Sequence, residues 1–320
     1  MRILLFGKNG QVGWALQRAL APLGDVTSLG REDESSGRER GAVDAGFLRG
    51  DLADLEGIAH TIRTLRPDVI VNAAAFTAVD AAESALEQAY AINALAPQRM
   101  AEIAREIGAL LVHYSTDYVF NGSGRSPWQE SDTVDPINAY GASKADGECR
   151  IRDSGARHLI LRTQWVYASR GRNFIKTMLR LAQERDALSV IDDQIGAPTG
   201  ADLIADVTAH LIRARAADSS GDDDGTYHLA ARGETSWHGY AQRVIETARA
   251  AGIPIRTPRQ AITAVSTRAF PTPARRPHNS RLSTARLESV FGLRLPEWQA
   301  GVDQSLTEIL EPMLAAEHDQ

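Results

Sequence analysis

Cysteine is almost missing from this chain. Cys149 stands alone, so no internal disulfide can form, and the absence of clustered Cys/His spacing speaks against a structural zinc site. A reducing cytoplasm fits this usage. Long apolar runs are missing too: Met1 to Gly7 is too short for a signal peptide, and nothing approaches the ~18 apolar residues of a membrane span. The formal charge of -6 includes no basic run able to neutralise nucleic-acid phosphates, which disfavours a nucleic-acid partner while leaving small anions to local positive groups. What is present is 320 residues with 43% hydrophobic and 24% charged content, enough for one large core or two modest ones.

Ile3 to Phe6 is a short apolar run ending in a glycine turn, and Val12, Leu16 and Leu20 then share one face of a helix predicted over Gln11 to Leu20. Val26 to Leu29 reads as a second strand. The stretch 30–50, rich in charge, glycine and serine, reads as a flexible surface insertion. Beyond it the pattern repeats, with helices over Leu52 to Leu65, Ala85 to Ile107 and Lys144 to Ser154. Strands are expected at Asp68 to Asn72, Ala109 to Tyr114 and His158 to Arg162. This alternation predicts a parallel, doubly wound α/β sheet. Helices are expected again over Asn173 to Glu184 and Ala201 to Arg215, with a polar loop at 216–225 whose Asp222-Asp223-Asp224 run reads as a solvated turn. Prolines at 254, 258, 271, 273, 277 and 296 suggest a loop-rich C-terminal lobe that closes over a ligand.

Gly7-Lys8-Asn9-Gly10-Gln11-Val12-Gly13 places glycines three apart between the first strand and the first helix. In that context one glycine permits the tight turn, another admits a pyrophosphate to backbone N–H groups, and the last lets the helix pack closely. The acidic residue that holds a ribose at the end of the second strand is missing. That region reads Ser28-Leu29-Gly30-Arg31, and Arg31 can accept a 2'-phosphate, which tilts the expectation towards NADPH without excluding NADH. Tyr140 and Lys144 stand four residues apart at the start of a helix, so a phenol and an ammonium share one face. The positive charge is expected to lower the phenol's pKa and suit it to proton donation. Thr116 follows a strand at the ligand-binding end of the sheet, where its hydroxyl can hold a carbonyl.

Together, Gly7-x-x-Gly10-x-x-Gly13, Thr116 and Tyr140-x-x-x-Lys144 resemble the extended short-chain dehydrogenase/reductase superfamily. Longer strings narrow this: Asn72 to Asp80 (NAAAFTAVD), Tyr114 to Gly122 (YSTDYVFNG), Leu161 to Tyr167 (LRTQWVY) and Phe270 to Pro277 (FPTPARRP). They are similar to the dTDP-4-dehydrorhamnose reductase family over nearly the whole chain. The resemblance implies a Rossmann-like NAD(P)-binding domain over residues 1–170 with about 200–231. A smaller nucleotide-sugar lobe would take about 171–199 and 232–320. It implies cofactor contacts from Gly10, Gln11 and Val12, from Asp51 and Leu52, from Ala75, Phe76 and Thr77, and from Tyr114, Tyr140 and Lys144. Thr116, Asp117 and Trp165 fall on substrate-contacting positions, and Arg275 and Arg276 are candidates for a diphosphate.

The implied activity is the last step towards dTDP-L-rhamnose for bacterial cell-surface polysaccharide, in a monomer or homodimer. Rival readings are another nucleotide-sugar epimerase or dehydratase, or a regulatory subunit that binds a dinucleotide without chemistry; intact Thr116, Tyr140 and Lys144 argue against the latter. The sequence departs from the family pattern in a longer stretch before Asp51. Some members also carry a first-helix glutamate that helps hold Mg2+ at a dimer interface; Ala15 stands there, so a metal-bridged dimer is not expected, although Asp192 and Asp193 are candidate partners for such an ion.

Overall fold

Six parallel strands make the central sheet: β1 (Arg2–Phe6), β2 (Asp25–Leu29), β3 (Val69–Asn72), β4 (Leu110–Thr116), β5 (His158–Thr163) and β6 (Gly225–His228). They lie side by side in the order β6-β5-β4-β3-β1-β2. The computed structural model describes residues 1–32, 34–35, 48–217 and 223–318. In chain order the longer helices are α1 (Gln11–Leu20), α2 (Leu55–Leu65), α3 (Ala96–Ile107), α4 (Ala139–Asp153), α5 (Phe174–Glu184), α6 (Ala201–Ala217), α7 (Trp237–Ala250), α8 (Ala285–Phe291) and α9 (Trp298–His318).

The inner strands are apolar on both faces, as a parallel sheet covered by helices requires. Ile3, Leu5, Val69, Val71, Leu110 and Val112 join a core with Leu16 and Leu20 of α1 and Ile204 and Leu211 of α6. Their neighbours Leu4, Phe6, Ile70 and Leu111 pack the other way, against Ile58 and Ile62 of α2 and Met100 and Ile103 of α3. Strand order reverses between β1 and β3, so a crevice opens at their C-terminal ends, where ligands of open α/β sheets bind. A third core gathers Ile175, Leu179, Val190, Tyr240, Val244 and Leu306 from α5, α7, α9 and the strand Leu188–Ile191. Among the described residues no helix is long and apolar enough to cross a membrane.

Several expectations need correction. The helix expected over Ala85 to Ile107 is continuous from Leu86 to Ile107, but it widens into a π-helical turn over Ala91–Leu95. Tertiary contacts hold the wide turn: Asn93 accepts from Phe76 N at 2.8 Å and donates to Phe76 O and Ser143 Oγ, each at 3.0 Å. α4 begins at Ala139, five residues before the expected start, because Asn138 caps it by accepting from Gly141 N at 2.8 Å.

The C-terminal third holds two long helices, α7 and α9, between its proline-bearing loops. Within the aspartate run, Asp222 lies outside the described residues, but Asp224 is no solvated turn residue. It pairs with Arg215 at 3.1 Å and Arg157 at 3.2 Å. Of the expected 30–50 insertion, Glu34–Ser35 pairs antiparallel with Leu48–Arg49, while 36–47 lie outside the described residues.

Candidate active site

The glycine turn is built by close approach of backbone to backbone. Gly7 has φ 88°, and a Cβ there would stand 2.7 Å from Ala73 C and Ala74 N at the end of β3. A Cβ on Gly13 would stand 2.0 Å from Gly7 O, so α1 can seat under the turn only with hydrogen at that position. Gly10 caps α1 without a side-chain hydrogen bond, leaving the first N–H groups of the helix for an anionic ligand.

From this turn a cleft of about 1100 Å³ runs along the C-terminal edge of the sheet. Arg31, Asp51 and Leu52 line one end; Gly7, Gly10, Gln11 and Val12 the floor; Ala75, Phe76 and Thr77 the adjoining wall; Tyr114, Thr116, Asp117, Tyr140, Lys144 and Trp165 the other end. Gly13 lies outside the lining, with its Cβ position against Gly7 O, and so do the diphosphate candidates Arg275 and Arg276. Asn93 secures the wall through both backbone groups of Phe76.

At the far end, Thr116 terminates β4 and donates its hydroxyl to Asp117 Oδ1 at 3.0 Å. Tyr140 sits in the first turn of α4, and Lys144 follows one turn later. Burial pushes the Tyr140 phenol up to about 12; the Thr116 hydroxyl draws it down and the Asp117 carboxyl pushes it further up. This reverses the expected direction. Lys144 donates to Tyr114 O at 2.6 Å and lies 3.0 Å from His113 Nε2. Desolvation pushes the lysine down to about 8, against a raising effect of Glu148. The Tyr114 hydroxyl pairs with Thr208 of α6 at 2.8 Å. What Tyr114 presents to Lys144 is its carbonyl.

Asp117 is pushed up to about 7 by burial, held in check by hydrogen bonds from Ser280 and Thr116 and from backbone N–H groups. Trp165 has φ 44°, a left-handed conformation strained for a bulky residue. Its indole stacks on Trp237 with centroids 3.7 Å apart and planes 15° apart. Trp237 in turn donates Nε1 to Gln194 Oε1 at 3.1 Å. Arg276, a candidate for a diphosphate, is bound to Asp80 at 2.8 Å, while Arg275 offers its carbonyl to Asn138 Nδ2 at 2.8 Å.

Ala15 is buried in the core beside α6. Asp193 accepts from Thr267 N and Oγ1 at 2.8 and 2.6 Å, and Asp192 accepts from Ser236 Oγ. Among the described residues no group of three or more His, Cys, Asp or Glu is arranged to hold a metal ion.

Sequence reasoning missed Asn72, His113 and Trp237. A histidine directly after the apolar run Leu110 to Val112, still within β4, was the one available signal, because a polar residue in a doubly buried strand must find a partner. Trp237 carried none, since its role depends on a contact 72 positions away in sequence.

The profile described as RmlD substrate binding domain matches residues 1–311. A dTDP-4-dehydrorhamnose reductase of Escherichia coli K12 is 53% identical over 309 residues, spanning 97% of this chain and 98% of that protein. Among solved structures, a dTDP-4-dehydrorhamnose reductase of Clostridium acetobutylicum superposes with TM-score 0.83 at 32% identity, covering 98% of this chain and 100% of that one. The Bacillus anthracis enzyme of the same name, in complex with NADP, does so with TM-score 0.82 at 32% identity, covering 96% and 99%. With the glycine turn, Thr116, Tyr140 and Lys144 assembled on a doubly wound sheet and the match running through nearly every residue, the chain belongs to the dTDP-4-dehydrorhamnose reductase family.

Proposed function

We propose that this protein is an NAD(P)H-dependent oxidoreductase that reduces the C4 keto group of dTDP-4-dehydro-L-rhamnose to give dTDP-L-rhamnose for cell-surface polysaccharide such as O antigen. The observation that carries this reading is the joining of two sites in one cleft: a glycine cradle at a helix N-terminus, and a Thr116–Tyr140–Lys144 group beside the Trp165 indole. The cradle fits a dinucleotide. Gly7 and Gly13 admit no side chain, and the uncapped start of α1 offers N–H groups to a diphosphate. Arg31 at the opposite end suits a 2'-phosphate, and the NADP held by the Bacillus anthracis relative supports that choice without excluding NADH.

When bound, the reduced nicotinamide supplies a hydride to the carbonyl carbon. Tyr140 delivers the proton to the carbonyl oxygen, and its raised pKa keeps that proton in place at neutral pH. Thr116 donates to the same oxygen as negative charge develops there. Lys144 holds the nicotinamide ribose and supports the developing phenolate. Trp165 gives the deoxysugar a flat apolar wall, and Asp117 accepts from its hydroxyls. In this reading residues 1–170 with about 200–231 form the dinucleotide half, and about 171–199 with 232–320 the nucleotide-sugar lobe. The protein works in the cytoplasm as a monomer or homodimer. The test is to mix it with enzymatically made dTDP-4-dehydro-L-rhamnose and either reduced cofactor while following the nicotinamide absorbance. Substrate-dependent oxidation, at least as fast with NADPH as with NADH, is expected. No oxidation with either would overturn the reading.

A further inference from the structure

Lys144 is fully buried, and its nitrogen meets two partners whose hydrogen-bonding capacities fix what it can be. Tyr114 O can only accept, so one amine hydrogen points there at 2.6 Å. The second partner, His113 Nε2 at 3.0 Å, can donate or accept according to its tautomer. The tautomer follows from the next link. Ala74 N–H donates to Asn72 Oδ1 at 3.1 Å, which fixes the orientation of that amide. The Nδ2 group of Asn72 therefore faces His113 Nδ1, at 3.1 Å. An amide NH2 only donates, so Nδ1 must be the bare nitrogen and the ring proton must sit on Nε2. That N–H points at the lysine nitrogen, where a neutral amine has a lone pair to receive it and an ammonium has none.

We propose that Asn72 and His113 are positioning residues that favour the neutral amine of Lys144 over its ammonium in the free enzyme, because the lysine can take up a proton only by giving up the His113 bond. All three residues are about 1% exposed. Among the charged groups around Lys144, Glu148 opposes this shift only in part. Glu148, one turn on along α4, is spent on Arg162 of β5 through bonds of 2.8 and 2.6 Å, with Arg152 at 3.3 Å. Arg162 also lies 3.5 Å from His228 of β6. From β4, Asp117 faces Thr116 and Ser280, and Tyr140 on α4 is a neutral phenol. Desolvation acts in the same direction, holding His113 well below its ordinary range and Lys144 at about 8. A charged Lys144 would draw the phenol of Tyr140 down, so this chain of bonds sets the pH at which the pair becomes competent. The inference deepens the proposed function, but it is a statement about the free protein and stands or falls without substrate.

Lys8, Lys144 and Lys176 are the only lysines in the chain, which makes the experiment direct. With ¹⁵N-labelled histidine and ¹³C-labelled lysine, NMR titration of the protein without cofactor should show His113 protonated on Nε2 above the Lys144 transition. Lys144 itself should titrate near 8. In Asn72→Asp the carboxylate accepts from Nδ1, reversing the tautomer and giving the lysine an acceptor, and its titration should rise by about a unit or more. In Asn72→Ala, which adds no charge, the titration should rise as well because the ring is released. Proton on Nδ1 in the parent protein above the Lys144 transition would overturn the proposal, and this measurement needs no variant. So would a Lys144 titration that stays put in both variants. A protein that shows the expected tautomer yet reduces no keto sugar would leave this inference intact and sink only the assigned reaction.

Discussion

Tyr140 keeps its proton in a buried setting that raises the phenol to about 12, so at neutral pH it is an acid ready to give rather than a base ready to take. Replacing it tests the role cleanly. Tyr140→Phe removes only the hydroxyl, so folding and cofactor binding should survive while kcat falls by about 10²-fold or more, the range of general acid catalysis. Turnover equal to the parent's would remove Tyr140 from the mechanism. Asp117, two residues into the same corner, carries a different cost. Its folded pKa lies near 7 against 3.8 ordinarily, so between those values the folded state binds a proton that the unfolded state has lost. Stability from this group is therefore whole below about pH 4, falls as pH rises, and the full penalty stands above about pH 7, at most about 4 kcal/mol. Asp117→Asn should accordingly raise Tm more at pH 8 than at pH 4. An equal shift at both pH values would mean that the carboxyl ionises without penalty.

At the scale of the element, the glycine turn depends on the fit of one helix under one loop. Gly13→Ala puts a methyl group 2.0 Å from Gly7 O, and the contact is backbone, which cannot swing away. The expected result is a cofactor affinity at least tenfold weaker, about 1.4 kcal/mol, together with a lower Tm. Unchanged binding would show that the turn can move without harm to the cradle. This element was the most legible part of the chain: α1 occupies the residues that its periodicity marks, Gln11 to Leu20, because Val12, Leu16 and Leu20 pack on a sheet already declared by β1. The π-helical turn at 91–95 was invisible because it is held by Phe76 and Ser143, partners with no signature in the local pattern. The same holds for Tyr140 and Lys144. Their spacing showed that they share a helix face, but Nζ turns to His113 and Tyr114 O, and a strand 30 residues earlier decides that.

Across the whole molecule, the sheet supplies one wall of the cleft and the third core supplies the other, through Trp165 and Trp237. The strained backbone at Trp165 is held where the two meet, with the stacked indoles fixing it from the lobe side. The remaining question at this scale is whether assembly or activity requires a divalent cation. Position 15 bears on this because it lies on α1, where the sequence resemblance implies a metal-binding glutamate in some members. In this chain the residue is Ala15, which has no ligating atom and packs in the apolar core beside Ala201 and Ala205. Asp192 and Asp193 remain as carboxylates, but each is already an acceptor for neighbours in its own lobe, Ser236 in one case and Thr267 in the other. Drawing them to a cation would break those bonds. Turnover and sedimentation behaviour are therefore expected to be unchanged in EDTA. Loss of both on chelation, with recovery on adding Mg2+, would show that an ion is held by groups other than these and would overturn the argument from position 15.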